Sequence, residues 1–139
     1  MVWVADAYSG ALVRIDAQRD RRVESIGETG PACGGITAFD GSVWLASACD
    51  EGTVTRIDMR TARTTARIHV PGVALDVAAG FGSIWVTTIP GLLLRIDPTT
   101  DRIVGRLHLN DAAWMTAGGD DLWVLDRVNR SVLRVKPAS

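Results

Sequence analysis

Apolar and polar residues alternate along residues 41–58, which read GSVWLASACDEGTVTRID. The alternation runs through Val43-Trp44-Leu45, stops at Cys49-Asp50-Glu51-Gly52 and resumes at Thr53. β-Branched and aromatic residues fill both arms, and glycine with acidic residues fills the loop between them. The pattern therefore predicts a β-hairpin.

This hairpin pattern occurs three more times. It reads VWVADAYSGALVRID from Val2 to Asp16, IWVTTIPGLLLRID from Ile84 to Asp97 and, less regularly, LWVLDRVNRSVLRVK from Leu122 to Lys136. One tryptophan marks each copy, at spacings of 41, 41 and 38 residues, and one arginine marks each second arm, at spacings of 42, 39 and 39 (Trp3, Trp44, Trp85, Trp123; Arg14, Arg56, Arg95, Arg134). Two landmarks that keep one period indicate a repeat protein, and a period near 40 with four strands per repeat is typical of a propeller blade.

The predicted fold class is all-β, a partial β-propeller of about three and a half to four four-stranded blades. The predicted units are 1–29, 30–70, 71–109 and 110–139, with three, four, four and three strands. The first unit has no inner strand and the last has no outer strand, so both end blades are incomplete. Asp40-Gly41 is the strongest turn signal in the chain, and Gly105, inside a predicted outer strand, indicates a bulge.

Incomplete end blades leave open how the ring closes, because a propeller removes its sheet edges by closure. Three interpretations compete: a fragment of a longer propeller, closure by a second copy in a homodimer, or a small ring of four units. We favour the fragment, since the sequence begins within a blade pattern and ends after a third strand.

Composition excludes some partners. The formal net charge is −1, from 15 basic and 16 acidic residues, so we expect no binding to nucleic acid. No apolar run is long enough to span a membrane, and no leader pattern precedes the first strand. We expect no cofactor and no metal site, since neither histidine lies near a cysteine in sequence.

Cys33 and Cys49 flank the first two strands of the second unit. A hairpin hinged at Asp40-Gly41 would place residue 33 opposite residue 48, so that a small bulge would bring the two sulfur atoms within bonding range. We predict a disulfide, the alternative being two free buried thiols. A disulfide would favour an extracytoplasmic or cell-surface protein.

Loops on one face of a propeller vary between units more than the strands do, which is typical of a scaffold that carries a binding site. Asp76 and Trp114 both align with Gly35 at the mouth of an inner strand and are expected to face the central channel. The alternative is that these are solvated loop residues, with Trp114 covering an apolar rim. The candidate ligand-binding residues are Tyr8, Asp50, Glu51, Asp76, Trp114, Arg127 and Asn129.

The repeats resemble those of bacterial YVTN-type and virginiamycin B lyase-like propellers, relatives of the NHL group. The resemblance lies in Gly41-Ser42-Val43-Trp44-Leu45, in Gly82-Ser83-Ile84-Trp85-Val86 and in the strand-turn run from Leu94 to Asp101. It implies a ring with more blades than this chain supplies, usually seven. In the lyase, catalytic His and Glu face a metal-assisted site on one face of the propeller. The position three residues after each Trp, often Glu in that family, is here Asp6, Ser47, Thr88 or Asp126, and His69 and His108 fall on outer strands.

We therefore predict no catalytic residue in this chain. The leading hypothesis is a non-catalytic module that binds a protein, peptide or small ligand across its loop face, within a larger exported or surface-associated bacterial protein. The alternative is a lyase- or lactonase-like enzyme whose acidic catalytic groups lie mostly in blades outside this sequence. A third hypothesis is a two-copy ring whose role is assembly itself.

Overall fold

The computed structural model of the chain describes residues 1–26, 32–49 and 52–138. These residues form 14 strands, all paired antiparallel, and no helix. The strands are β1 (Val2–Asp6), β2 (Ala11–Asp16), β3 (Arg21–Ile26), β4 (Ile36–Phe39), β5 (Ser42–Ser47), β6 (Thr53–Asp58), β7 (Thr64–His69), β8 (Val73–Gly80), β9 (Ser83–Ile89), β10 (Leu92–Asp97), β11 (Arg102–His108), β12 (Ala112–Gly118), β13 (Asp121–Asp126) and β14 (Ser131–Val135).

Consecutive strands pair to make four sheets. Sheet one has the order β1-β2-β3, sheet two β4-β5-β6-β7, sheet three β8-β9-β10-β11 and sheet four β12-β13-β14. The counts of three, four, four and three strands, and the all-β partial propeller that they make, confirm the predicted fold class. The boundary predicted between residues 29 and 30 lies outside the described residues, and the division into units stays a prediction.

Tight turns set the strand register. Phe39 pairs with Ser42 and Ile36 with Leu45, so the hairpin is hinged at Asp40-Gly41 as predicted. Both turn residues have positive φ, 46° and 71°, which is the backbone of a type I′ turn and explains the Asp-Gly sequence.

A β-bulge recurs in the outer strand of the first three sheets. In sheet three the register shifts between Arg95 and Ile96, opposite Gly105 and Ile103, so Val104 is the extra residue. Equivalent shifts occur after Arg14 in sheet one and after Arg56 in sheet two. The bulge expected at Gly105 is therefore a feature of the repeat, and it does not require glycine.

The sheets pack face to face through three apolar clusters. The cluster between sheets one and two is built on Leu12, Ile26, Val43, Leu45 and Ile57. The largest cluster, between sheets two and three, includes Trp44, Val54, Ile68, Ile84, Val86, Leu94 and Ile96. The third joins sheets three and four through Trp85, Leu93, Ala112, Leu122 and Val124. Each of the first three sheets thus packs its tryptophan side against the sheet that follows it in the chain.

The outer faces of the two end sheets are uncovered. Val2 and Val4 of sheet one are 46% and 43% exposed, whereas the equivalent Val43 and Leu45 of sheet two are buried. Trp123 of sheet four is 39% exposed, whereas Trp44 is fully buried. Sheets one and four therefore do not pack on each other, and the interpretation as a closed ring of four units is wrong.

Candidate functional site on the loop face

Two sets of loops meet on one face of the molecule. The Leu109 amide donates to the Gly91 carbonyl at 2.8 Å, and the Val70 amide donates to the Gly52 carbonyl at 2.9 Å. Each bond joins the end of an outer strand to the loop between the second and third strands of its own sheet. In the described part of the chain, the segments that form this loop face are 7–10, 32–35, 48–49, 52, 70–72, 90–91, 109–111 and 127–130.

Trp114, Arg127 and Asp111 form the most organised cluster at this face. The Arg127 Nε and Nη2 atoms donate to the two carboxylate oxygens of Asp111, each at 2.9 Å. The guanidinium carbon lies 5.9 Å from the centre of the Trp114 ring, which is within cation-π range. The ion pair raises the pKa of Arg127, because the positive charge is stabilised by the facing carboxylate. The structure thus places two of the predicted residues, Trp114 and Arg127, in direct contact, and Asp111 holds the guanidinium of Arg127.

Trp114 lies on the uncovered side of sheet four. The strand β12 turns its side chain to the uncovered side of sheet four, where it is 54% exposed. There it lines a shallow, mostly apolar groove with Thr116, Trp123, Leu125 and Val132.

Asp76 occupies the equivalent position in sheet three but is only 8% exposed. Its Oδ1 accepts the Val77 amide at 2.9 Å, and its Oδ2 accepts the Met115 amide of sheet four at 2.8 Å. A Cβ on Gly35 of sheet two would overlap Oδ1 of Asp76. Burial raises the pKa of this carboxyl, and the two amide bonds partly oppose that effect. Asp76 is thus a link between neighbouring sheets, with both oxygens already occupied.

The other predicted residues lie in loops. Tyr8 is fully exposed in the β1–β2 loop. Asn129 lies in the β13–β14 loop, where its Nδ2 donates to Asp126 at 2.8 Å. Asp50 and Glu51 lie outside the described residues.

In five loops, the aspartate that ends the preceding strand accepts backbone amide hydrogen bonds from the loop (Asp6, Asp16, Asp58, Asp97, Asp126). Asp58 Oδ1 accepts the amides of Arg60 and Thr61 at 2.9 and 2.7 Å, and Asp97 Oδ1 accepts the Thr99 amide at 2.9 Å. Such bonds to the ionised form lower the pKa of Asp6, Asp58, Asp97 and Asp126. An Arg-Ile-Asp triplet ends the second arm of the hairpin in sheets one, two and three, at residues 14–16, 56–58 and 95–97, and its aspartate caps the following turn.

The arginine of each triplet packs on the tryptophan of the neighbouring strand. The guanidinium carbon of Arg56 is 4.9 Å from the Trp44 ring centre, and Arg56 Nε donates to Ser42 Oγ at 2.9 Å. Arg56 Nη1 then reaches sheet three, where it donates to the Pro98 carbonyl and to Asp101 Oδ1 at 2.8 and 2.9 Å. The sequence showed the regular spacing of these tryptophans and arginines, but the contact between sheets was not anticipated.

Cys33 and Cys49 lie at the loop-face end of sheet two. Their sulfur atoms are placed at bonding distance and their Cα atoms are 5.8 Å apart. The register of β4 and β5 would place residue 33 opposite residue 48, as the sequence argument required. This separation is within the range of natural disulfides.

Neither histidine approaches this face as part of a cluster. His69 and His108 are exposed at the ends of the outer strands β7 and β11. Within residues 1–26, 32–49 and 52–138, no group of three or more His, Cys, Asp or Glu is arranged to hold a metal ion. No helix long and apolar enough to cross a membrane occurs in the described part of the chain.

No protein-family model matches the sequence, and no curated protein matches it. Solved structures do match. Glutaminyl cyclase from Myxococcus xanthus is 13% identical with a TM-score of 0.65, over 92% of this chain and 64% of that one. BamB from Moraxella catarrhalis is 15% identical with a TM-score of 0.64, over 94% of this chain and 46% of that one.

A nidogen–laminin complex gives a TM-score of 0.78 at 14% identity, over 96% of this chain and 54% of that one. The chain thus spans about half to two thirds of the length of these three structures. These neighbours are β-propeller proteins, and identities this low are evidence of the fold alone. The chain therefore has a β-propeller repeat fold.

Proposed function

We propose that this chain is a non-catalytic module of a larger propeller, and that it binds a protein, peptide or small ligand at the loop face. The observation that carries the proposal is the Trp114–Arg127–Asp111 cluster. A large aromatic surface is exposed beside an arginine whose position is held by a bidentate carboxylate. Sites of this kind combine apolar contact area with a few fixed polar groups.

The cluster suggests the chemistry of the ligand. Trp114 offers an apolar and aromatic surface in the groove along sheet four. Arg127 uses Nε and Nη2 for Asp111, which leaves Nη1 to donate to a ligand carbonyl or carboxylate. Trp and Arg are also the residue types that most often dominate binding energy at interfaces. A ligand that presents an apolar group next to a hydrogen-bond acceptor fits this site.

The remaining parts of this proposal come from the repeat type and from the cysteines. Resemblance to YVTN-type and virginiamycin B lyase-like repeats supports a bacterial protein with more blades. The Cys33–Cys49 placement supports an exported or cell-surface location, because disulfides persist in oxidising compartments. The lyase- or lactonase-like alternative stays a prediction.

The test is a fragment screen observed through the tryptophan side chains. Protein labelled with ¹⁵N at tryptophan is titrated with a library of aromatic carboxylates and short peptides, and the Trp114 indole signal is assigned with Trp114→Phe. We expect a subset of compounds to shift that signal. Trp114→Ala and Arg127→Ala should each weaken their binding at least tenfold, which corresponds to about 1.4 kcal/mol.

Val104→Ala is the matched control, since Val104 is an exposed residue on an outer strand, away from this cluster. It should leave binding unchanged. The proposal fails if no compound shifts the Trp114 signal, or if the compounds that do so bind equally well to the Ala variants of Trp114 and Arg127.

A further inference from the structure

The outer strands of sheets one, two and three carry an excess of arginine. Each of these strands is the edge of its sheet. With the turns that precede them, they form three segments that we call the outer rim, residues 17–26, 59–69 and 98–108. The outer rim holds eight of the 15 basic residues of the chain but only three of its 16 acidic residues. It is therefore strongly basic, although the formal net charge of the whole chain is −1.

Three of these arginines occupy one position of the repeat. Arg21, Arg63 and Arg102 each lie opposite the aspartate that ends the second arm of the hairpin in their sheet. They are 42 and 39 residues apart in sequence. All three are exposed, and none forms an ion pair within residues 1–26, 32–49 and 52–138. The fold thus places one unpaired guanidinium at the same position on the edge of three successive sheets.

The acidic residues of the outer rim do not neutralise these arginines. Glu24 is paired with Arg14 at 3.2 Å. Asp101 is paired with Arg56 at 2.9 Å. Both partners lie outside the outer rim, so the arginines of the rim itself keep their charge uncompensated. Asp20, in the turn before β3, is the third acidic residue.

Charged residues on a strand edge also prevent that edge from pairing with other strands. Either sign of charge serves this purpose, and like charges placed close together repel each other. An edge that was protected only against pairing would therefore be expected to carry both signs. The excess of one sign over three successive sheets favours binding of an anionic partner.

The side chains of the outer rim favour an acidic polypeptide as that partner. All eight basic residues are arginine, whose planar guanidinium binds a carboxylate through two parallel hydrogen bonds. Val23 and Val104, the extra residues at the bulges of β3 and β11, are 40% and 57% exposed among them. These side chains can contact apolar residues of a polypeptide. A flat anionic membrane would reach few of the arginines at once, because the sheets of a propeller are arranged radially and their outer edges form a curved wall.

We propose that the outer rim is a docking surface for an acidic segment of another protein, whose carboxylates contact Arg21, Arg63 and Arg102. Further blades of the same propeller would pack on the faces of sheets one and four and would leave these outer edges open. The surface is also separate from the Trp114 cluster. Arg63→Gln/Arg102→Gln should leave ligand-induced shifts of the Trp114 indole signal unchanged, so the two proposals can fail separately.

The test uses the full chain and fluorescein-labelled poly-glutamate, with binding followed by fluorescence anisotropy at low ionic strength. We expect binding that weakens as salt is added, because the arginines are exposed and their charges are screened. The double variant Arg63→Gln/Arg102→Gln should raise the dissociation constant about tenfold, which corresponds to about 1.4 kcal/mol.

Arg130→Gln/Lys136→Gln is the matched control, since it removes two exposed basic residues outside the outer rim. It should change the dissociation constant by less than about twofold. Circular dichroism should show both variants folded. The proposal is overturned if poly-glutamate does not bind at low ionic strength. It is also overturned if the two double variants weaken binding equally, since net charge alone would then explain it.

Phosphatidylglycerol vesicles and duplex DNA test the other anionic partners. We expect both to bind more weakly than poly-glutamate. Tighter binding of either one, lost in Arg63→Gln/Arg102→Gln, would overturn the assignment of an acidic polypeptide to this surface.

Discussion

Asp76 joins sheets three and four through a buried carboxylate, and its removal is the sharpest test of how the sheets are held together. Asp76→Ala would leave the Val77 and Met115 amides without their acceptor. A buried donor without a partner costs about 1–3 kcal/mol, which gives about 2–6 kcal/mol for the two. Removing a carboxylate whose burial is unfavourable offsets part of this, so we expect a net loss of about 2–4 kcal/mol at neutral pH.

Asp76→Asn removes the negative charge but keeps one side-chain oxygen as an acceptor. An amide oxygen can accept one of the two bonds, but its NH₂ group faces the other donor. We therefore expect a smaller loss, about 1–3 kcal/mol. Gly35→Ala tests the same place from sheet two, because the new Cβ would overlap Oδ1 of Asp76. It should also destabilise the fold, although no hydrogen-bonding group is removed.

The pH dependence follows from the raised pKa of Asp76. Burial raises it above its ordinary value of 3.8, so the folded state binds a proton more readily than the unfolded state. The stabilisation from this proton is fully present below pH 3.8 and is lost as pH rises through the folded pKa. The stability gap between the native protein and Asp76→Asn should therefore be larger in acid than at neutral pH.

The assay is urea unfolding followed by tryptophan fluorescence, at neutral pH and at a series of acidic pH values. Asp120→Asn, a change at an exposed turn carboxylate, is the control and should leave the midpoint nearly unchanged. If Asp76→Ala unfolds at the native midpoint with the native slope, Asp76 does not stabilise the contact between sheets three and four. A gap between native protein and Asp76→Asn that widens as pH rises would contradict the stated role of burial.

Three further predictions concern other contacts. In a double-mutant cycle of Arg56→Ala and Asp101→Ala, the coupling free energy should be about 1–2 kcal/mol, because the ion pair is largely shielded from solvent. A coupling free energy near zero would show that this ion pair does not hold sheets two and three together. Asp97→Ala should lower the free energy of unfolding at neutral pH, and the difference from the native protein should shrink as pH falls through the depressed pKa of Asp97. Urea unfolding at several pH values would measure this difference. A difference that persists in strong acid would contradict turn capping by the carboxylate. The intact mass under non-reducing conditions should be lower by two hydrogens than after reduction. Replacing both Cys33 and Cys49 with Ser should lower the free energy of unfolding by about 3 kcal/mol, because the disulfide closes a loop with a sequence separation of 16 residues. Free thiols in protein purified from an oxidising compartment would refute the pairing.

Much of the fold could be predicted because its determinants are local. Alternation with a period of two identifies a strand, and Asp40-Gly41 adopts the positive φ values that a two-residue hairpin turn needs. The repeated tryptophan and arginine then align the units with no knowledge of their packing. The number of strands in each sheet and the register around Asp40-Gly41 therefore follow from neighbouring residues alone.

Most of the candidate site could not be predicted, because burial depends on what packs against a residue. Trp44 and Trp123 have the same register in their units, yet one is fully buried and the other is 39% exposed, since only Trp44 is followed by another sheet. Asp76 and Trp114 are equivalent in sequence, yet one carboxylate links two sheets and one indole lies on an open face.

The repeat, the strands and the turn chemistry depend on residues close along the chain, so they could be predicted from the order of the amino acids alone. Packing between sheets determines which copies of a repeated residue are buried and which arginines reach the next sheet, and the packing of the chain places Arg127 against Asp111 and Trp114. Those outcomes require contacts between residues far apart in sequence, as with Arg56 and Asp101, which are 45 residues apart. The repeat places equivalent residues at the same position in each sheet, but the sheet that packs against each position determines whether its side chain is buried.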